Sequence, residues 1–192
     1  MNNFEYADTS SWEDWMKEYR YGAFYIIPPQ EIMEEIDKLR LHHDPKSHSI
    51  SPAHVSLSEA LQVPLNEEQL RELQEALASL DPFEMQYGPL KSFPTYPGVV
   101  YTINPEDKFM QLRSKIHSTP LFKDVPLNHA HIPPHMTIAE FITLEKTAEL
   151  LEKLQGKVPE GTFSVDSITY YIPNKDFYFE KVLTIPLGKK PE

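Results

Sequence analysis

Two short runs combine an acid–base group with a hydroxyl at strand spacing. His54-Val55-Ser56-Leu57 and His135-Met136-Thr137-Ile138 each place an imidazole and a hydroxyl two residues apart, with apolar residues between and after. On a β-strand, side chains at i and i+2 share a face. Each run then presents one histidine beside one hydroxyl, while Val55, Leu57, Met136 and Ile138 anchor it in a core. Histidine serves as acid or base near neutral pH because its ordinary pKa is about 6.5. Two such pairs turned toward each other supply two acid–base groups and two hydroxyl donors around one small anion.

A single run of this kind is weak, since His-apolar-Ser/Thr-apolar arises by chance at about one histidine in a hundred. A lone strand histidine is usually a structural hydrogen-bonder. Two copies in a chain with eight histidines, each after a proline-marked loop, favour function. His129, His131 and His135 also form a HxHxxxH run. As a metal site it needs a fourth ligand from elsewhere, and Pro133-Pro134 interrupts it; we expect neither metal nor cofactor. His42-His43-Asp44 reads as a solvated loop. Tyr25, Tyr101 and Tyr170 fall in expected strands, where one of them could stack on a base. Arg40, Lys91 and Arg113 read as solvated faces rather than cleft charges.

The 192 residues suffice for one large domain or two small lobes. Hydrophobic content of 40% indicates a packed core. Net charge is −11, which argues against an extended nucleic-acid surface and leaves room for a small nucleotide or an RNA terminus. There is no apolar run of membrane length. The absence of cysteine and of a secretory pattern makes a cytoplasmic location the expectation.

The spacing of Trp12, Trp15, Met16 and Tyr19 predicts a helical N-terminal extension over 1–20, either simply docked or acting as an aromatic flap. Strands are expected at 21–27, 54–60, 85–92, 98–103, 135–142, 162–172 and 177–187. Helices are expected at 30–41, after Asn66 with Gln69 as a capping box, after Asn104-Pro105, and at 144–155 with Gly156 closing the last. The order strand, helix, loop, His-strand, helix, strand runs from about 21 to 92 and again from about 98 to 172, with a further strand to 187. The motif histidines are 81 residues apart at equivalent places. We therefore read 21–192 as a single bilobal α/β domain, its lobes placing the His-strands on opposite walls of one cleft.

His54, Ser56, His135 and Thr137, with Pro134 before the second histidine, resemble the 2H phosphoesterases, named for two His-x-Thr/Ser-x motifs. Asp44-Pro45 resembles bacterial members. Ser56 replaces the commoner threonine, and Ala53 stands where proline often precedes the histidine. The resemblance implies an α+β fold of two similar lobes, with antiparallel-rich sheet and outer helices around a central cleft. It implies a phosphoesterase like the 2′-5′ RNA ligases and RNA 2′,3′-cyclic phosphodiesterases. His54 and His135 are its catalytic pair, and Ser56 and Thr137 its phosphate-binding hydroxyls. Opening a cyclic phosphate needs a base for water and an acid for the leaving ribose oxygen. His135 is expected as base and His54 as acid, an assignment that swaps with the ester oxygen that leaves. A non-catalytic nucleotide or RNA-end binder is the alternative.

Overall fold

The computed structural model describes residues 4–129 and 131–188. Eight strands form one antiparallel sheet: β1 (Ala23–Ile26), β2 (Val55–Ser56), β3 (Phe83–Lys91), β4 (Val99–Asn104), β5 (His135–Ala139), β6 (Gly161–Val165), β7 (Ser167–Pro173) and β8 (Phe179–Pro186). Their order is β6-β3-β4-β5-β2-β1-β7-β8. The sheet therefore consists of two four-stranded halves, and the two motif strands are the adjacent pair at the seam. The expectation of opposite walls is corrected here: β2 and β5 pair directly, with Val55 opposite Met136.

Six α-helices accompany the sheet among the described residues, with one 3-10 turn at Pro120–Phe122: α1 (Asp14–Lys17), α2 (Gln30–His43), α3 (Pro45–His48), α4 (Glu67–Leu77), α5 (Glu106–His117) and α6 (Leu144–Leu154). The Asn66 capping box forms with both reciprocal bonds. Gly156 follows α6 with φ +70°, the left-handed geometry that suits glycine. Pro105 occupies the N-cap of α5 rather than its first turn, because Asn104 is the last residue of β4. The expected strand at 162–172 divides at Asp166: β6 pairs with β3, while β7 pairs with β1 and β8.

Alternation along β1 separates two cores. Phe24 and Ile26 join the main cluster with Val55, Leu57, Met136 and Ile138. Ala23 and Tyr25 face the other way, into a small cluster with Trp12, Tyr171, Phe177 and Phe179. Val55, Leu57, Met136 and Ile138 are fully buried, each contributing about 1.5–3 kcal/mol. That burial fixes the register, since a slip of one residue would turn the whole motif into the core. Gly22 admits no side chain: its φ is +75°, and a Cβ there would lie 2.0 Å from the Tyr171 carbonyl oxygen.

Candidate functional site

The pairing of Val55 with Met136 sets His54 across from Thr137 and Ser56 across from His135. All four side chains therefore project from the sheet face opposite the main core. The neighbouring registers place Tyr25 beside Ser56 and Thr102 beside His135. A cavity of about 300 Å³ opens here, lined by His54, Ser56 and His135 among others. Ser56 is exposed, and His54, His135 and Thr137 are half-buried.

Both histidines are oriented by the same local device. His54 Nδ1 lies 2.8 Å from the carbonyl oxygen of Pro52, and His135 Nδ1 lies 2.9 Å from that of Pro133. A carbonyl only accepts, so each Nδ1 carries the proton and donates it. Nε2 is then the nitrogen left for a ligand. Burial pushes the His54 pKa down to about 4, helped by the nearby Arg40 charge and, to a smaller degree, by His135 itself. Burial, with Lys91, also lowers His135. Both shifts favour the neutral imidazole in the free protein.

Helix α2 builds the first motif from behind. Asp37 Oδ1 accepts from the Ala53 amide at 2.9 Å. This explains the alanine before His54, because proline has no N–H to offer. Arg40 is 1% exposed. It donates to the Ser47 and Ser51 carbonyls, each at 2.8 Å, and to the Thr137 carbonyl at 3.3 Å. One guanidinium thus ties the loop before His54 to the second motif strand. Its Nε is 3.2 Å from Asp37 Oδ1 but is not aligned for a hydrogen bond.

Asp44 is buried, not part of a solvated loop. Its Oδ1 accepts from the Ser47 amide and caps α3; its Oδ2 accepts from the amides of Glu140 and Phe141 at 2.8 and 2.9 Å. The Asp-Pro pair therefore starts a helix and also pins the end of β5.

Arg113 is likewise buried rather than solvated. It lies 3.1 Å from Glu59, whose other oxygen is 2.6 Å from His129 Nδ1. These three residues line the same cavity. The sequence offered little sign of Glu59, which stands in an irregular stretch beyond the motif. His129 faces Glu59, His135 faces the Pro133 carbonyl and His131 is exposed, so the HxHxxxH run does not converge. Among the described residues no group of three or more His, Cys, Asp or Glu is placed to hold a metal ion. Tyr101 and Tyr170 are fully buried in the main core. Tyr25 alone of the three tyrosines lines the cavity, with its ring centroid 4.1 Å from that of His54.

The fold is that of several solved proteins. A phosphoesterase structure matches with a TM-score of 0.57 at 17% identity, covering 87% of this chain and 97% of its own. The Escherichia coli LigT structure complexed with 3′-AMP matches with a TM-score of 0.57 at 16% identity, covering 87% and 97%. The LigT structure complexed with NADP+ matches with a TM-score of 0.54 at 18% identity, covering 87% and 96%. No curated protein matches. The family model of the 2′-5′ RNA ligase superfamily matches residues 28–176, and the chain belongs to that superfamily. Among the described residues no helix is long and apolar enough to cross a membrane.

Proposed function

We propose that this chain hydrolyses a 2′,3′-cyclic phosphate, or a related 2′-5′ phosphodiester, of a nucleotide or RNA end by acid–base catalysis between His54 and His135. The observation that carries this reading is the arrangement at the seam: two histidines and two hydroxyls in two adjacent rows on one sheet face. Membership of the superfamily supports it, as do the nucleotides bound to the structurally similar LigT.

Water attacks phosphorus while one imidazole Nε2 takes its proton. The bond from phosphorus to a ribose oxygen breaks, and the other imidazolium protonates that oxygen. Because His54 is held down to about 4, it starts neutral and acts as base. His135 takes up the proton drawn in by the bound anion and acts as acid. We propose this in place of the assignment expected from the sequence, because burial first, and the Arg40 charge behind it second, hold His54 neutral. Ser56 and Thr137 donate to the non-bridging oxygens, holding the group in line and stabilising its charge. The −11 charge favours a small ligand, gripped locally.

The test is turnover of 2′,3′-cyclic AMP in EDTA by the native chain, His54→Ala and His135→Ala. We expect metal-independent hydrolysis, reduced by about 10²–10⁴-fold in each variant. Binding without turnover in the native chain would instead identify a non-catalytic nucleotide binder.

A further inference from the structure

Much of the cavity wall is aromatic, with two of the side chains coming from the N-terminal segment. That segment precedes residue 28, where the family match begins. It is held firmly. Trp12 is buried and donates its indole N–H to the Lys175 carbonyl at 3.0 Å. Tyr19 meets Phe179 edge-on, and Tyr6 Oη accepts from the Leu65 amide.

Trp15 differs from these anchors. It lines the cavity yet remains 38% exposed, and Phe141 across from it is 40% exposed. Their ring centroids are 6.5 Å apart with planes inclined by 43°, a wedge rather than a closed stack. The indole is held by two contacts. Its N–H donates to the Glu13 carboxylate at 2.8 Å, and Phe177 meets it at 84°. Phe177 holds this position with φ +60°, a backbone conformation unusual for a bulky residue. A ladder of ring contacts, His54 to Tyr25, Phe179, Phe177 and Trp15, joins His54 to the exposed indole. The helix predicted for this segment is a single turn, α1, and the segment contributes to the site through Trp15 and Tyr19.

We infer that Trp15 is a stacking platform for the base of a nucleotide whose phosphoryl group sits between His54 and His135. This deepens the phosphoesterase reading and rests on it for the ligand's orientation. A partly exposed, anchored indole offers an apolar π-surface, which suits any planar base and favours none by hydrogen bonding. A cavity of about 300 Å³ is at the small end of ligand sites and suits one nucleotide unit.

The chain has two tryptophans, so Trp12→Phe leaves Trp15 as the sole indole reporter. Adenosine 3′-monophosphate is expected to quench this fluorescence saturably. Inorganic phosphate should displace the nucleotide without quenching of its own. In the full chain, Trp15→Ala should weaken 3′-AMP binding about 5- to 150-fold by calorimetry, the range for one stacked base. Its affinity for inorganic phosphate should stay as in the native chain. If Trp12→Phe does not fold, quenching in the native chain that is lost in Trp15→Ala carries the same readout.

Fluorescence unmoved at saturating 3′-AMP, or native affinity in Trp15→Ala, overturns the inference even when phosphate binds and cyclic nucleotide turns over. Quenching by 3′-AMP in a protein that neither binds phosphate nor hydrolyses the cyclic ester would uphold the platform and end the phosphoesterase reading.

Discussion

Replacing Arg40 by methionine separates the structural and electrostatic work of one buried cation. The guanidinium donates to three carbonyls and sits beside Asp37, almost completely out of water. Methionine fills similar space but leaves the Ser47, Ser51 and Thr137 carbonyls without this donor and Asp37 without its cation. Removing one partner of a buried charge pair costs about 3–5 kcal/mol. With a urea m-value of about 2 kcal/mol/M, the unfolding midpoint should fall by about 2 M.

The same change removes a positive charge that depresses His54, so its pKa should rise from about 4 part of the way toward 6.5. It will not recover fully, because burial is the larger cause. Arg40→Lys keeps the charge but loses the planar fork. It should therefore lose stability while leaving the His54 titration near the native value. Urea unfolding followed by circular dichroism reads the first effect, and a proton NMR titration of the imidazole reads the second. A methionine variant within about 1 kcal/mol of native stability, with His54 titrating unchanged, would refute the role given to Arg40.

Two further outcomes follow from the site. With His54 as the proposed base and His135 as the proposed acid, the pH profile of kcat/KM should peak on the acid side of 6.5: His54 is protonated and lost as a base below about 4, and His135, lowered by burial, loses its proton below the usual imidazole range. In kcat the alkaline limb should move to higher pH, since the bound anion holds the imidazolium; a kcat/KM still rising at pH 8 would contradict this. Asp44→Ala strips the cap of α3 and the acceptor of the Glu140 and Phe141 amides. It should cost about 2–4 kcal/mol, from one cap and two unsatisfied amides; urea midpoints check it, and a loss under about 1 kcal/mol would count against the clamp.

What the sequence disclosed depended on how local the signal was. The capping box at Asn66, the helix over 30–43 and both motif strands are written in nearest-neighbour chemistry. The spacing of His54 with Ser56 and of His135 with Thr137 carried the site, because strand alternation alone puts each pair on one face. Topology was not local. Nothing in Val55 or Met136 announces that they pair, so the repeat read as two walls where the sheet has a seam. The first motif strand shortens because Leu57 and Ser58 turn their amides to the Phe24 carbonyl and leave the ladder. Arg40, Asp44 and Arg113 were misjudged for the same reason: charged residues usually face solvent, and their burial depends on partners distant in sequence. Ala53 looked like a departure until the Asp37 carboxylate was found on its amide.

The central claim, that both imidazoles and both hydroxyls hold one phosphoryl group, is most directly tested by nitrogen NMR of the histidine side chains during titration with inorganic phosphate. The Nε2 resonances of His54 and His135 should move together along a single binding curve, and both responses should vanish in the Ser56→Ala, Thr137→Val double variant. Two curves with different midpoints, or one histidine responding while the other stays still, would contradict the account.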